Sequence, residues 1–233
     1  MRFSDCWSSV GDVTFYHIDG VCYWKRKPQP TFPGTAAQLA NADVHRRALI
    51  AWQQLEPGTQ EQWNSVAVGV PSHRPPYGTR AGITGHNLFV SAYHGFARLG
   101  REHIPEPVPW MKFPVFYMDF KEASVVGGTD LMLGVRVRLE GGQEPARYRL
   151  LVKLQLTEPG RGRNGGFFRV FAAESNCTGT ESDVFVLIPN YRKVWNLDLL
   201  KYQVYCRYLL LDTVTGYRCI HKSRSFTMAL SQS

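Results

Sequence analysis

The chain has no apolar run of the roughly 18–20 residues that a membrane-crossing helix requires, which excludes a helical span. Its opening residues, MRFSDCWSSV, lack the apolar core of about 7–15 residues that marks a secretory signal, so residence in the cytoplasm is expected. Cysteine is sparse: Cys6, Cys22, Cys177, Cys206 and Cys219 are the only five. None stands in a C-x2-C pair, which argues against a structural zinc site, and an odd, scattered set suits a reducing compartment. The seven histidines include no H-E-x-x-H or H-x3-H pair. His86 and His94 can share a helix face, but no third ligand stands with them, and no metal or cofactor is expected. There is no G-x-S-x-G elbow and no other recognisable nucleophile, so the expectation is a protein that is not an enzyme. Internal repeats and low-complexity stretches are absent as well.

What is present suits a folded protein. Of 233 residues, 44% are hydrophobic and 13% aromatic, enough for a substantial core. Charged residues, at 20%, fall below the disordered range. The net charge of +8 favours an anionic partner. It is spread along the chain, however, with +3 over residues 1–104 and +5 over 105–233. A nucleic-acid module concentrates its charge on one element.

Residues 13–28, VTFYHIDGVCYWKRKP, predict a β-hairpin. Asp19-Gly20 between two β-branched and aromatic runs is a type I′ turn signal. It sets Ile18 opposite Val21, His17 opposite Cys22, Tyr16 opposite Tyr23 and Phe15 opposite Trp24. Both faces then carry aromatics. The basic end, Lys25, Arg26 and Lys27, can grip phosphate, or it can blunt a sheet edge against aggregation. A helix follows, opened by a capping box of Thr35 and Gln38, with Leu39, Ala42, Leu49 and Trp52 on its apolar face. Glu56-Pro57-Gly58 stops it, and Thr59 with Gln62 caps a second helix carrying Trp63, Val66 and Ala67. The two indoles, Trp52 and Trp63, wedge the corner. Residues 68–85 form a long loop. A third helix carries Leu88, Phe89, Ala92 and Phe96 in a stripe and ends at Gly100.

After IPEPVPW (104–110), a linker by composition, the pattern changes to strands. Seven candidates follow: FPVFYMDFK, DLMLGVRVRLE, RYRLLVKLQL, GFFRVFAAE, DVFVLIP, LKYQVYCRYLLLD and YRCIHKSRSFTM. Alternation is clearest at Leu131, Leu133, Val135, Val137 and Leu139, with Arg136 and Arg138 on the other face. Strands without intervening helices argue for an antiparallel β-sandwich. GRGRNG (160–165) matches G-x-G-x-x-G, but a strand-like run follows it where a dinucleotide site needs a helix. It reads as a hairpin loop, whose Arg161 and Arg163 could still hold an anion.

Several stretches resemble known families. AWQQLEPGTQEQWNSVA (51–67) resembles the middle of an HMG box, and HNLFVSAYHGFARLGREHIP (86–105) looks like that family's first helix, in rotated order. The resemblance implies minor-groove DNA binding by Lys and Arg with an apolar wedge. Residues 11–95 hold a basic-ended hairpin, T-x-A-Q, W-x2-L-x-P, a second Trp and G-x-N-L-F in that order. They resemble uncharacterised bacterial and prophage-associated proteins, which imply no activity. The C-terminal half looks like an immunoglobulin or fibronectin type III domain, with Tyr202, Val204 and Cys206 alternating as in its sixth strand.

The expectation is therefore an α+β multidomain protein. A hairpin and three-helix corner occupy 1–103, a linker 104–110, and a seven-strand antiparallel β-sandwich 111–233. Trp52, Trp63 and Phe89 are the expected structural core. The expected role is structural or interactive, with the sandwich binding a protein or glycan partner and a possible prophage connection. The alternative is nucleic-acid binding, with Lys25, Arg26, Lys27, Arg46, Arg47, Arg161 and Arg163 as the nucleic-acid or anion contacts.

Overall fold

The structure, a computed structural model, describes residues 9–18, 21–27, 34–70, 82–142, 144–164, 168–219 and 221–230. Contacts divide the chain into two units, Met1–Asn41 and Ala42–Ser233.

The first unit holds a three-stranded antiparallel sheet of β1 (Ser9–Val10), β2 (Val13–Ile18) and β3 (Val21–Arg26). The register of β2 against β3 is the expected one, from Val13↔Arg26 through Phe15↔Trp24 and Tyr16↔Tyr23 to Ile18↔Val21. The Asp19-Gly20 turn itself lies outside the described residues. The short β1 is an addition to the expected hairpin, turned back through Gly11 at φ 58°. Helix α1 (Ala36–Gln54) begins in this unit, and its capping box is present. The Thr35 N–H donates to Gln38 Oε1 at 3.1 Å, and the Gln38 N–H donates to Thr35 Oγ1 at 3.3 Å.

In the second unit, α1 runs on to Gln54, α2 spans Pro57–Val68 and α3 spans Gly85–Arg98. The expected start of α2 is corrected. Pro57 opens the helix instead of stopping its predecessor, and neither Thr59 nor Gln62 caps it. Proline suits the first helical position because its missing N–H would have no partner there. The corner is closed from the other side, where Gln60 Nε2 donates to the Trp52 carbonyl at 2.9 Å and so holds the last turn of α1. The buried face of α1 is also narrower than expected. Leu39 and Ala42 are exposed, and the helix packs through Ala48, Ala51 and half-buried Trp52. Helix α3 matches its expected stripe: Leu88, Phe89, Ala92 and Phe96 are all buried. It ends where Gly100 takes φ 70°, with the Arg101 N–H returning to the Phe96 carbonyl at 3.0 Å.

The seven expected strands are all present: β4 (Val115–Val126), β5 (Asp130–Glu140), β6 (Tyr148–Thr157), β7 (Arg169–Asn176), β8 (Glu181–Ile188), β9 (Lys201–Asp212) and β10 (Lys222–Ala229). They form one antiparallel sheet in the order β10-β9-β6-β7-β8-β5-β4. The sheet curls until its two edges meet, so it is nearly a barrel. Lys222 Nζ of β10 donates to the Phe116 carbonyl of β4 at 2.5 Å, and Arg224 Nη1 donates to the Met118 carbonyl at 2.7 Å. Phe120 and Phe226 stack across the same seam at 4.6 Å. Alternating residues fill the interior: Leu131, Leu133, Val135, Val137 and Leu139 from β5, and Tyr202, Val204 and Cys206 from β9. The opposite face of β5 is an ion-pair surface in which Arg136 and Lys121 grip Asp183 at 2.9 and 2.6 Å. That grip, chiefly the Arg136 hydrogen bond, holds the Asp183 carboxyl down at about 2. A one-turn helix, α4 (Tyr191–Trp195), closes one end between two left-handed asparagines, Asn190 and Asn196.

Residues 104–110 have no regular structure, yet they are docked: Pro105 is buried, and Trp110 lies 5.4 Å from the Tyr217 ring. Tyr217 follows β9, and its hydroxyl donates to the Val108 carbonyl at 2.7 Å. The same ring meets Trp63 of α2 at 6.3 Å, so one buried aromatic serves both the helices and the sheet. Further along, a Cβ placed on Gly216 would fall 2.5 Å from the Ala92 carbonyl of α3. Only a glycine lets that turn approach the helix backbone.

Candidate functional site

The helical corner turns out to be packing. Trp63 and Phe89 are fully buried and meet edge to face at 5.5 Å. Trp52 is half-buried and meets the other side of Phe89 at 5.4 Å. The wedge between the two indoles is thus the phenylalanine of the third helix, which the sequence places in the core without pairing it to either. The Trp63 indole N–H is buried without an acceptor among the described residues.

Most of the expected cationic contacts are already occupied. Arg26 pairs with Asp12 at 2.9 Å, Lys27 Nζ donates to the Gly11 carbonyl at 3.1 Å, and Lys25 lies over the Tyr16 ring at 5.6 Å. On α1, Arg46 pairs with Asp43 at 2.5 Å, and Arg47 bridges Asp43 at 3.1 Å and Glu102 at 2.5 Å. Asp43 stands three and four residues before these arginines, so helical spacing dictates the neutralisation. In the loop between β6 and β7, Arg161 pairs with Glu158 at 2.7 Å. The described part of GRGRNG joins two paired antiparallel strands, as a hairpin loop does.

Two exposed features bear on function. On the hairpin, Val21 (54% exposed), Tyr23 (44%) and Trp24 (68%) all face water. Alternation puts Tyr23 and Trp24 on opposite faces, and Tyr23 stacks on Tyr16 at 5.7 Å. The second feature is a pocket of about 350 Å³ on the outer side of β9 and β10, lined by Arg163 of the loop, Phe168, Tyr205 and Arg207, with Ser223 and Ser225 along one wall. Of the sequence-selected residues, Arg163 alone lines it. Arg207, Ser223 and Ser225 carry no motif, and only strand register brings them together.

Among the described residues, the histidines do not converge on a metal-like set. His94 faces His45 of α1 at 3.4 Å, while His86 lies against the Trp52 ring at 5.3 Å. Burial, aided by His45, Arg98 and Arg218, lowers the His94 pKa. Burial also pushes the Cys177, Cys206 and Cys219 thiols up to about 11, which favours their protonated form at neutral pH. Among the described residues, no group of three or more His, Cys, Asp or Glu could hold a metal ion, and no helix is long and apolar enough to cross a membrane.

No protein-family model matches the chain, and no curated protein does. Neither the HMG-box nor the prophage resemblance gains from these comparisons. Among solved structures, the chain is similar to AggA, the major subunit of aggregative adherence fimbriae type I from Escherichia coli. The identity is 9%, over 52% of this chain and 97% of that one, with a TM-score of 0.28. It is also similar to a beta-glucosidase from Kluyveromyces marxianus at 14% identity, over 64% of this chain and 19% of that one, with a TM-score of 0.21. Likenesses at these scores carry no argument about fold or activity, and the chain is described by its own geometry.

Proposed function

We propose that this is a non-enzymatic structural or interaction protein whose N-terminal hairpin holds a protein or glycan partner. The observation that carries the reading is the exposure of Val21, Tyr23 and Trp24 on one short strand. Large aromatics in water are the residues that dominate binding energy when a partner covers them. We further assign the seven-stranded part to an immunoglobulin-like scaffold. Its first, second and fifth strands are neighbours, and its fourth, third, sixth and seventh follow in the same order along the sheet. Near the start of its sixth strand, Tyr202 accepts a hydrogen bond from the Leu199 N–H at 3.0 Å, in the manner of that fold's tyrosine corner. A scaffold of this kind settles no function by itself.

The test is binding to protein and glycan arrays together with sedimentation velocity, comparing the parent chain with Trp24→Ser and Tyr23→Ser. A bound partner or a concentration-dependent oligomer, weakened about thirtyfold by Trp24→Ser with unchanged melting, is the expected result. A parent chain that stays monomeric and retains nothing from either array would sink the reading. Nucleic-acid binding through Lys25–Lys27, Arg46 and Arg47 has less behind it, because Asp12, Asp43 and Glu102 already answer the three arginines. A gel shift with duplex and single strands at about 50 mM salt decides that alternative.

A further inference from the structure

We infer that the pocket on the outer face of β9 and β10 is a binding site for a tetrahedral oxyanion, a sulfate or phosphate group. The inference is independent of the hairpin reading. Three observations carry it.

The first is an accumulation of positive charge of which, among the described residues, Arg224 alone is answered by a carboxylate, Asp119. Antiparallel register sets Lys153 of β6 directly opposite Arg207 of β9. Like charges in that relation repel, and a sheet surface with no use for them would carry a pair of opposite sign. Both cations also crowd one ring: Arg207 Cζ lies 5.5 Å and Lys153 Nζ 5.9 Å from the centre of Phe168. Arg163 adds a third positive group from the loop. Among the described residues none of the three has an ion pair. The cations of β4 and β5 behave differently, since Arg136 and Lys121 are both matched by Asp183.

The second is the state of Arg207 itself. Its Nε is buried and has no hydrogen-bond acceptor among the described residues. A buried guanidinium donor without an acceptor is costly, and native proteins rarely keep one without a reason. The planar fork of arginine is suited to a tetrahedral anion.

The third is that the surroundings are built. Ser223 pairs in register with Arg207, and Ser225 with Tyr205, so two hydroxyls stand on the same face beside the guanidinium. The loop carrying Arg163 is pinned on both sides of that residue. Tyr205 donates its hydroxyl to the Arg161 carbonyl at 2.7 Å, and the Asn164 N–H donates to Gln155 Oε1 at 2.8 Å. Cations, hydroxyl donors and an anchored loop thus face one recess of about 350 Å³.

The experiment follows the arginine side-chain N–H signals of the full-length, nitrogen-labelled chain by NMR. Sodium sulfate, sodium phosphate and sodium chloride are titrated at matched ionic strength. The expected result is a saturable shift of the Arg207 signal with one or both oxyanions and none with chloride, and the tighter-binding oxyanion identifies the chemical source. Arg207→Gln, read at the Arg163 signal, should weaken binding roughly tenfold or more, the loss expected for one charge-assisted hydrogen bond. Ser223→Asp puts a carboxylate opposite Arg207 in register, so it should fold at least as well as the parent and lose the site. Arg136→Gln, on β5 and outside the pocket, should leave binding unchanged. A shift that chloride reproduces, or that never saturates, overturns the inference. So does binding that survives in both Arg207→Gln and Ser223→Asp.

Discussion

Trp63→Ala is the sharpest test of how the helical corner and the sheet hold together. The residue is fully buried, and its indole meets Phe89 at 5.5 Å and Tyr217 at 6.3 Å. An indole buries about 200 Å², worth about 5 kcal/mol at 25 cal/mol per Å² as an upper bound. The two edge-to-face contacts add about 0.5–1.5 kcal/mol each. Against this stands the unpartnered indole N–H, whose burial costs about 1–3 kcal/mol and which alanine removes. The net expectation is a loss of about 4 kcal/mol, inside the range of about 3–5 kcal/mol usual for emptying a buried aromatic site. For a unit of this size that lowers the melting midpoint by roughly 10 °C. Trp63→Phe should cost less than about 2 kcal/mol, because it sheds the N–H and keeps a ring. Urea and thermal melts followed by far-ultraviolet circular dichroism measure both variants, with amide hydrogen exchange alongside. Because Tyr217 joins the two parts, exchange should quicken in β9 together with α2 and α3. A Trp63→Ala midpoint lying on the parent's would refute the burial argument. Loss of protection in the helices with β9 untouched would refute the coupling.

Three further outcomes are expected. Gly95→Ala should cost roughly 3 kcal/mol, since the new methyl would press into the Gly216 backbone carbonyl and neither backbone can retreat; a urea melt reads the loss. Asp212 pairs with Arg147 at 2.6 Å and accepts from the Val214 N–H at 2.9 Å, so Asp212→Ala should cost about 3–5 kcal/mol by stranding a largely buried guanidinium, measured by denaturant melts. The lowered pKa of His94 means the unfolded chain takes up its proton first as pH falls, so this contribution to stability is complete above the ordinary histidine pKa and is lost below it. Denaturant midpoints over that window should slope downward toward acid, and His94→Gln should flatten the slope; an unchanged slope would exclude burial of His94 as its source.

Much of the architecture was legible because it depends on local spacing. The β2–β3 register follows from one Asp-Gly signal, and the Thr35–Gln38 box from two residues one helical turn apart. The β5 interior follows from strict alternation of Leu and Val. The beginning of α2 was misread because Pro-Gly is both a helix breaker and a good first turn, and only Gln60 reaching back to Trp52 distinguishes the two. Helix α4 escaped notice because five residues are too few to show a period. Of the anion pocket, Arg163 alone stood out, since its partners come from strands whose pairing no short motif records.

The residues by themselves determined the kind of each element and which of its faces is apolar, since those properties arise within a turn of helix or a few residues of strand. Tertiary structure alone decided that Phe89 sits between the two indoles and that Tyr217 binds helices to sheet. It also decided that Arg47 reaches Glu102, while Lys153, Arg163 and Arg207 meet no acid among the described residues. Such pairings join positions distant in the chain, and the free energy that selects them comes from packing and charge in three dimensions.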